Sequence, residues 1–321
     1  MLATIGGTPL VALDRIEPGL RVFAKMEKFN PGGSVKDRTA LNMLQGALHA
    51  GTLVPGRSVV VESTSGNLGV GLAQMCAYFG LDLVCVVDTR TTAQTIALLR
   101  AYGATVELVT EPVDGDLLGA RIARVHELLA RLPDAFWPNQ YANPLNPAAH
   151  EQTMHEIADA LERRVDYLFC SVSTGGTMRG CADYIRRHGL ATKLIAVDAA
   201  GSAIFHVPTE GRLLPGHGAG RRPPLVDTSA VSEVVHVTDL ECVRACRTLV
   251  AREAILAGGS SGATVAALAK LRDRIPAGAV CVLVFPDDGN RYLDTIYSDS
   301  WVREHFGEVP APAARALAAL P

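Results

Sequence analysis

Potential for chemistry is most concentrated in Ser34-Val35-Lys36-Asp37-Arg38, a stretch reached through Asn30-Pro31-Gly32-Gly33. It sets one lysine directly after a proline–glycine turn, inside a segment that otherwise reads as buried. A lysine amine in a partly desolvated pocket has a lowered pKa and can condense with an aldehyde. Pyridoxal 5'-phosphate is the obvious aldehyde, because its ring serves as an electron sink for carbanion chemistry. The same lysine also suits a solvated surface charge beside a turn, so the rest of the chain must supply the remainder of a site.

Three further stretches have the composition of ligand-binding loops. Glu62-Ser63-Thr64-Ser65-Gly66-Asn67-Leu68-Gly69 follows an apolar run and opens a helical one. Its hydroxyls, its glycine and the free N–H groups of a helix start make a cradle for carboxylate or phosphate. Asn67 adds an amide able to donate to a phenolate oxygen. Ser173-Thr174-Gly175-Gly176-Thr177 pairs two glycines, which let the backbone approach a ligand and aim successive N–H groups at one point. It has neither the lysine of a nucleotide P-loop nor the spacing of a dinucleotide fingerprint, and no ribose-binding acid follows at the expected distance. A monophosphate fits better than ATP or NAD. Gly258-Gly259-Ser260-Ser261-Gly262 offers the hydroxyl of Ser260, which can bond a pyridine nitrogen without fully charging it. Taken singly, each loop also suits an N-cap and a tight turn.

The elements that must position these loops alternate in type. Short, mostly continuous apolar runs at 58–62, 83–88, 105–109, 166–171, 193–198, 233–237 and 280–285 read as strands covered on both faces. Between them 67–80, 92–102, 117–131, 147–163, 177–188, 239–253 and 262–275 carry helical spacing. Such alternation predicts an α/β fold of doubly wound, mainly parallel sheets, with ligands at the carboxyl ends of the strands. Two prolines in Ala142-Asn143-Pro144-Leu145-Asn146-Pro147 mark a junction between a domain at 1–145 and one at 146–306. The Pro/Ala-rich tail at 307–321 is expected to be disordered.

The bulk numbers narrow the class. The 321 residues, 48% of them hydrophobic, suffice for one large or two medium domains, and a net charge of -3 gives no electrostatic reason to expect nucleic acid or a membrane surface. The seven cysteines show no metal-ligand spacing and read as reduced core residues of a cytoplasmic protein. No run is apolar for long enough to span a bilayer, and the N-terminus lacks the build of a secretion signal.

Together, Asn30 to Arg38, Glu62 to Gly69, Ser173 to Thr177 and Gly258 to Gly262, in this order, resemble the fold type II pyridoxal-phosphate family that includes cysteine synthase and cystathionine β-synthase. The resemblance runs from Ile5-Gly6-Gly7-Thr8-Pro9-Leu10 to Arg291-Tyr292-Leu293. It implies a tryptophan synthase β-like fold whose first strands, about 1–35, are free to cross to the other domain, with a mobile part at about 67–145, and a homodimer. By the same resemblance Lys36 is the Schiff-base lysine and general base, and Asn67 the donor to the cofactor's 3'-oxygen. Ser173, Thr174, Gly175, Gly176 and Thr177 form the phosphate cup, and Ser260 is the partner of the pyridine nitrogen. Thr64, Ser65 and Gln140 then fall where the family holds the substrate's α-carboxylate.

Departures within the family point to a branch. Leu68 stands where cysteine synthases usually have threonine, and Ser173 opens the phosphate turn in place of glycine. Cys85-Val86-Val87-Asp88, Trp137-Pro138-Asn139-Gln140-Tyr141-Ala142-Asn143, Val197-Asp198-Ala199-Ala200-Gly201-Ser202-Ala203-Ile204-Phe205 and Tyr297-Ser298-Asp299-Ser300-Trp301 are similar to the N-(2-amino-2-carboxyethyl)-L-glutamate synthases of 2,3-diaminopropionate and siderophore biosynthesis. That branch joins O-phospho-L-serine to L-glutamate and releases phosphate. Arg121 and Tyr141 match its positions for glutamate. Arg221, in the glycine-rich Leu214-Pro215-Gly216-His217-Gly218-Ala219-Gly220-Arg221-Arg222, is the nominee for the leaving phosphate. Cysteine synthase, using O-acetylserine or O-phosphoserine and sulfide, shares every cofactor residue and is the alternative. A non-catalytic binding protein would have no use for Lys36, Asn67 and Ser260.

Overall fold

The computed structural model describes residues 1–112, 117–207, 211–307 and 309 of the chain. The tail expected to be disordered lies outside the described residues, apart from Gly307 and Val309. Among the described residues ten strands form two sheets. The larger is built from β1 (Leu10–Ala12), β2 (Arg21–Met26), β7 (Tyr167–Ser171), β8 (Lys193–Ala199), β9 (Glu233–Val237) and β10 (Val280–Phe285), in the order β1-β2-β10-β7-β8-β9. Only the β1–β2 pair is antiparallel. The smaller, all parallel, is ordered β5-β4-β3-β6, from β3 (Val59–Ser63), β4 (Asp82–Asp88), β5 (Thr105–Val109) and β6 (Ala135–Phe136). The helices are α1 (Lys36–His49), α2 (Asn67–Phe79), α3 (Ala93–Ala101), α4 (Leu117–Arg131), α5 (Leu145–Ala160), α6 (Gly176–Arg187), α7 (Asp239–Glu253), α8 (Gly259–Leu271) and α9 (Asp299–Phe306). This is the expected α/β architecture of mainly parallel sheets, and all seven expected strands are present.

Both faces of each sheet are covered, which is why its strands read as unbroken apolar runs. In β10, Cys281, Leu283 and Phe285 pack with residues of α7 and α8, while Val282 and Val284 pack with residues of α5 and α6. In the smaller sheet, Val60 and Cys85 join α1 and α2, whereas Val61 and Val86 meet Val125 and Leu128 of α4. All seven cysteines are free and buried, and burial pushes the thiols of Cys76, Cys246 and Cys281 up to about 12. Among the described residues no helix is long and apolar enough to cross a membrane.

Among the described residues β1, β2, β6, α1 and α9 are not marked by apolar runs or helical spacing, although the resemblance implies strands within about 1–35. The strands β1 and β2 come from the first residues of the chain and complete the larger sheet, so the segment ahead of Lys36 is built into the same layer as β10. Lys25 is the next-to-last residue of β2 and is buried. Its amine bonds Thr8 O and Glu156 Oε2, both at 2.6 Å. Arg38, one turn into α1, forks onto two carboxylates: its Nε and Nη2 reach Glu27 at 2.7 and 2.9 Å, and its Nη1 and Nη2 reach Glu156 at 2.8 and 2.7 Å. Thr8 and Asn30 add hydrogen bonds to Glu27 at 2.7 and 2.8 Å. Two cations against two anions leave this buried cluster neutral, the condition under which desolvated charges are tolerable.

Burial alone raises the Glu156 carboxyl, but the bonds from Arg38 and Lys25, the Arg38 charge and the Gly7 amide outweigh it and hold it at about 2, against an ordinary 4.5. A depressed folded pKa stabilises the protein above the unfolded value, and that contribution is lost as pH falls from about 5 towards 2. Glu156→Gln is therefore expected to destabilise the fold by about 3–5 kcal/mol at pH 7. Urea denaturation at pH 7 and pH 4 should show a narrower gap between wild type and variant at the lower pH. A gap independent of pH would refute this account of the cluster.

Candidate functional site

Lys36 is the first residue of α1, placed by a turn that three partners hold. The Gly32 amide donates to Asp37 at 2.5 Å, Val35 N–H donates to Pro286 O at 2.7 Å, and Ser34 forms an isolated bridge with Asp287. Desolvation lowers the Lys36 amine from 10.5 to about 8, with the Asp287 carboxylate pulling the other way. The lysine is thus set near the pH where neutral and charged amine coexist.

Asp287, immediately beyond β10, is the hub that sequence reasoning missed. Asn67 donates its amide to Asp287 Oδ2 at 2.8 Å, and Tyr292 OH donates to the same oxygen at 2.6 Å. A side chain at Gly258 would overlap the Asp287 carboxylate, so only glycine fits ahead of α8. Arg291 completes the arrangement, bonding Asn67 Oδ1 and, at 3.1 Å, Gly32 O. One carboxylate and one guanidinium therefore join the lysine turn, the asparagine loop and the serine turn. A signal for this existed: Pro286-Asp287-Asp288-Gly289 follows the last strand at its carboxyl end, where α/β sheets bind ligands.

The helices that start at the lysine turn and at the three loops share a second property. The N-cap positions of α1, α2, α6 and α8 are Val35, Gly66, Gly175 and Gly258, none with a side-chain cap bond. By contrast α3, α7 and α9 are capped by Thr92, Thr238 and Ser298. The N-cap residues themselves thus carry no cap bond. Hydroxyls just ahead of them, Ser34, Thr64 and Thr174, accept from Lys36, Gly69 and Gly176 N–H at 3.3, 3.1 and 3.4 Å. The other amides of these helix ends suit an anion or a ring oxygen from outside the chain. Gly175 takes φ 88°, open to glycine, and a side chain at Gly176 would overlap Asn146. Asn146 is a second junction: its amide donates to Gln140 O at 2.7 Å and reaches Thr174 Oγ1 at 3.3 Å, and Thr39 of α1 donates to its oxygen at 3.3 Å. Ser173 Oγ donates to Gly218 O at 3.4 Å. Across from Ser260, Gly216 stands with room for little more than a methyl group, 3.7 Å from Ser260 Oγ and 3.8 Å from Tyr292 OH when one is built there.

The remaining expected residues form a cationic side. Arg121 donates to Ser65 Oγ at 2.5 Å and pairs with Asp88 at 3.4 Å. Tyr141 is pushed above the ordinary tyrosine pKa by burial, while the charges of Arg121, Arg212 and Arg221 act on it in the opposite direction. Arg212, an exposed residue outside the expected set, donates to His217 O at 2.6 Å. Arg221 is exposed. Thr64 and Gln140 are buried; Thr64 Oγ1 accepts the Gly69 amide at 3.1 Å. Beneath them lies Glu62, also unforeseen, accepting from Trp137 Nε1, Ser63 N and Gln140 N at 2.9, 3.0 and 3.3 Å. Burial dominates and raises it to about 7.

A lysine with a lowered pKa, helix-end amides around two adjacent glycines, and a serine facing a glycine are what a phosphorylated pyridine aldehyde requires. Comparison with known proteins agrees. Residues 1–287 match the family described as pyridoxal-phosphate dependent enzyme. An O-ureido-L-serine synthase is 33% identical with a TM-score of 0.84, covering 96% of this chain and 96% of that one. The O-acetylserine-dependent cystathionine β-synthase of Helicobacter pylori is 29% identical with a TM-score of 0.86, covering 92% and 98%. A cysteine synthase of Entamoeba histolytica is 34% identical with a TM-score of 0.84, covering 92% and 89%. The chain belongs to the pyridoxal-phosphate-dependent enzyme family, as a fold type II member close to the cysteine synthases and cystathionine β-synthases.

Proposed function

We propose that this enzyme performs β-replacement on an O-activated L-serine, and that it joins O-phospho-L-serine to L-glutamate, giving N-(2-amino-2-carboxyethyl)-L-glutamate and inorganic phosphate. Pyridoxal phosphate, when bound, supplies the electron sink that makes the serine α-proton acidic and its β-substituent a leaving group. Lys36 holds the cofactor and, once freed, takes and returns the α-proton at Nζ. Asn67 retains a second amide hydrogen beyond the one given to Asp287 and donates it to the ring oxygen. Ser173 to Thr177 receive the phosphate, and Ser260 meets the pyridine nitrogen as a neutral hydroxyl. Thr64, Ser65 and Gln140 hold the α-carboxylate.

The observation that carries the finer reading is Arg121, which bonds Ser65 at 2.5 Å, with Arg212 and Arg221 near enough for their charges to act on Tyr141. Sulfide needs no such group of cations. Glutamate brings two carboxylates and phosphoserine releases a phosphate, so a site for both must supply positive charge. Arg121 already bonds Ser65, so a guanidinium stands beside the loop that holds the serine carboxylate. We assign Arg121 and Tyr141 to glutamate, and Arg221 to the leaving phosphate.

Mass spectrometry of the products, with O-phosphoserine and O-acetylserine each crossed against glutamate and sulfide, tests the reading. The amine adduct should form from phosphoserine and glutamate, with phosphate released only when glutamate is present. Cysteine as the sole product would move the enzyme to the alternative, cysteine synthase. Arg121→Met should raise the KM for glutamate at least about tenfold, in line with the loss of one charge-assisted hydrogen bond, while leaving cofactor absorbance intact. Lys36→Ala should abolish turnover and the borohydride-trapped adduct together.

Asp287 offers a test without turnover. Its charge holds the Lys36 amine up, so Asp287→Asn is expected to shift that amine below about 8. Recapture of pyridoxal phosphate by the apo-protein requires neutral lysine, and its rate should reach half-maximum at lower pH in the variant. An unchanged profile would remove Asp287 from any role in setting the lysine.

A further inference from the structure

Towards the β9 edge of the larger sheet, three side chains converge that the reaction does not use. Strands β8 and β9 run parallel with Asp198 opposite His236. Adjacent strands lie about 4.8 Å apart and residues in register project to the same face, so the sheet itself sets this carboxylate beside this imidazole. The third group, His206, comes from the segment after β8, and its ring meets that of His236 edge-on with centroids 4.0 Å apart. One oxygen or ring nitrogen from each of the three lies within 4.8 Å of the other two.

Their bonding is incomplete in a particular way. Asp198 Oδ1 accepts the Ala199 amide at 2.9 Å, and the Ser202 hydroxyl and the Phe205 amide also act on this carboxylate, but Oδ2 makes no hydrogen bond of ordinary geometry, and neither do His206 Nδ1 and His236 Nε2. His206 Nε2 lies 2.9 Å from the carbonyl of Ala200. A carbonyl only accepts, so Nε2 carries the proton and Nδ1 keeps its lone pair. Fixing the tautomer through the other ring nitrogen is how proteins orient histidine ligands. Leaving three buried polar atoms without a hydrogen bond of ordinary geometry at one place is costly, and a cation would satisfy all of them.

We propose that Asp198, His206 and His236 bind one divalent transition cation. Two imidazoles and a carboxylate suit Zn²⁺ and its first-row neighbours; Mg²⁺ and Ca²⁺ favour all-oxygen sets. Three protein ligands leave a fourth position for water. The ion's task is mechanical: it ties the segment after β8 to the edge strand β9. That segment is bonded to the loop opposite Ser260, with Ala219 N–H donating to Ser202 Oγ at 3.1 Å and Ala203 N–H to Ala219 O at 2.8 Å. The cation therefore braces the wall that carries Gly216.

The test uses untagged holoenzyme stripped with EDTA, dialysed against Zn²⁺ and freed of excess by gel filtration. Elemental analysis should find one Zn²⁺ per chain, and the thermal midpoint should rise on its addition. Co²⁺ in place of zinc should give visible d–d absorption. His206→Gln and His236→Gln should each weaken Zn²⁺ binding at least about tenfold and lose the thermal response, while cofactor absorbance reports that the variants are folded. Wild-type protein that keeps no zinc, or variants that bind it as tightly as wild type, would overturn the proposal. Should one variant fail to fold, the cobalt spectrum of the wild type and the other variant still decide it.

Discussion

Arg38 and its two carboxylates underlie the rest of this structure. Segments near the start of the chain, at Thr8, Lys25, Glu27 and Arg38, meet the distant Glu156 in a nearly dry cluster where no charge could remain alone. An uncompensated buried ion costs several kcal/mol, so these segments are either assembled together or not at all. The cluster fixes the first turn of α1, and the reactive lysine begins that turn. The precision of the site thus rests on an ion network that takes no part in the chemistry.

Charge works differently at the site itself. Lys36 and Asp287 are both desolvated, so the lysine amine falls while the Asp287 carboxyl is pushed up, mainly by burial. Asp287 keeps its place through Tyr292 and Asn67, and Asn67 in turn is held by Arg291. Each member of this chain of bonds orients the next, which leaves a cofactor little to reorganise. Elsewhere at the site the charges of Arg121, Arg212 and Arg221 act on Tyr141. The two halves differ in kind: one tunes a single amine, the other concentrates positive charge.

Strands buried on both faces were legible because their runs are apolar without interruption, as in Val280-Cys281-Val282-Leu283-Val284. The strand β2 was indicated only by resemblance and not by its own residues, since Lys25 interrupts its apolar run and reads as solvent-facing until Glu156 appears as its partner. The start of α1 was hidden in the same way. It lacks a side-chain cap, and its early polar residues Asp37 and Arg38 find their partners in Gly32, Glu27 and Glu156. Glu62 escaped notice because its donors, Trp137 and Gln140, lie some 75 residues and more away. Arg212 stands just outside the glycine loop whose arginines drew attention.

The order of a lysine turn, an asparagine loop, a paired-glycine turn and a late serine turn indicated the cofactor through resemblance to a known family, and the alternation of apolar runs with helical spacing indicated the fold, since both are carried by local composition. Composition is a local property and is carried by neighbours in the chain. Which carboxylate faces Lys36, which arginines act on Tyr141, and that Asp198 faces His236 are facts of strand register and loop closure. They were settled only when distant segments packed together, since burial and pairing of charge belong to the assembled molecule.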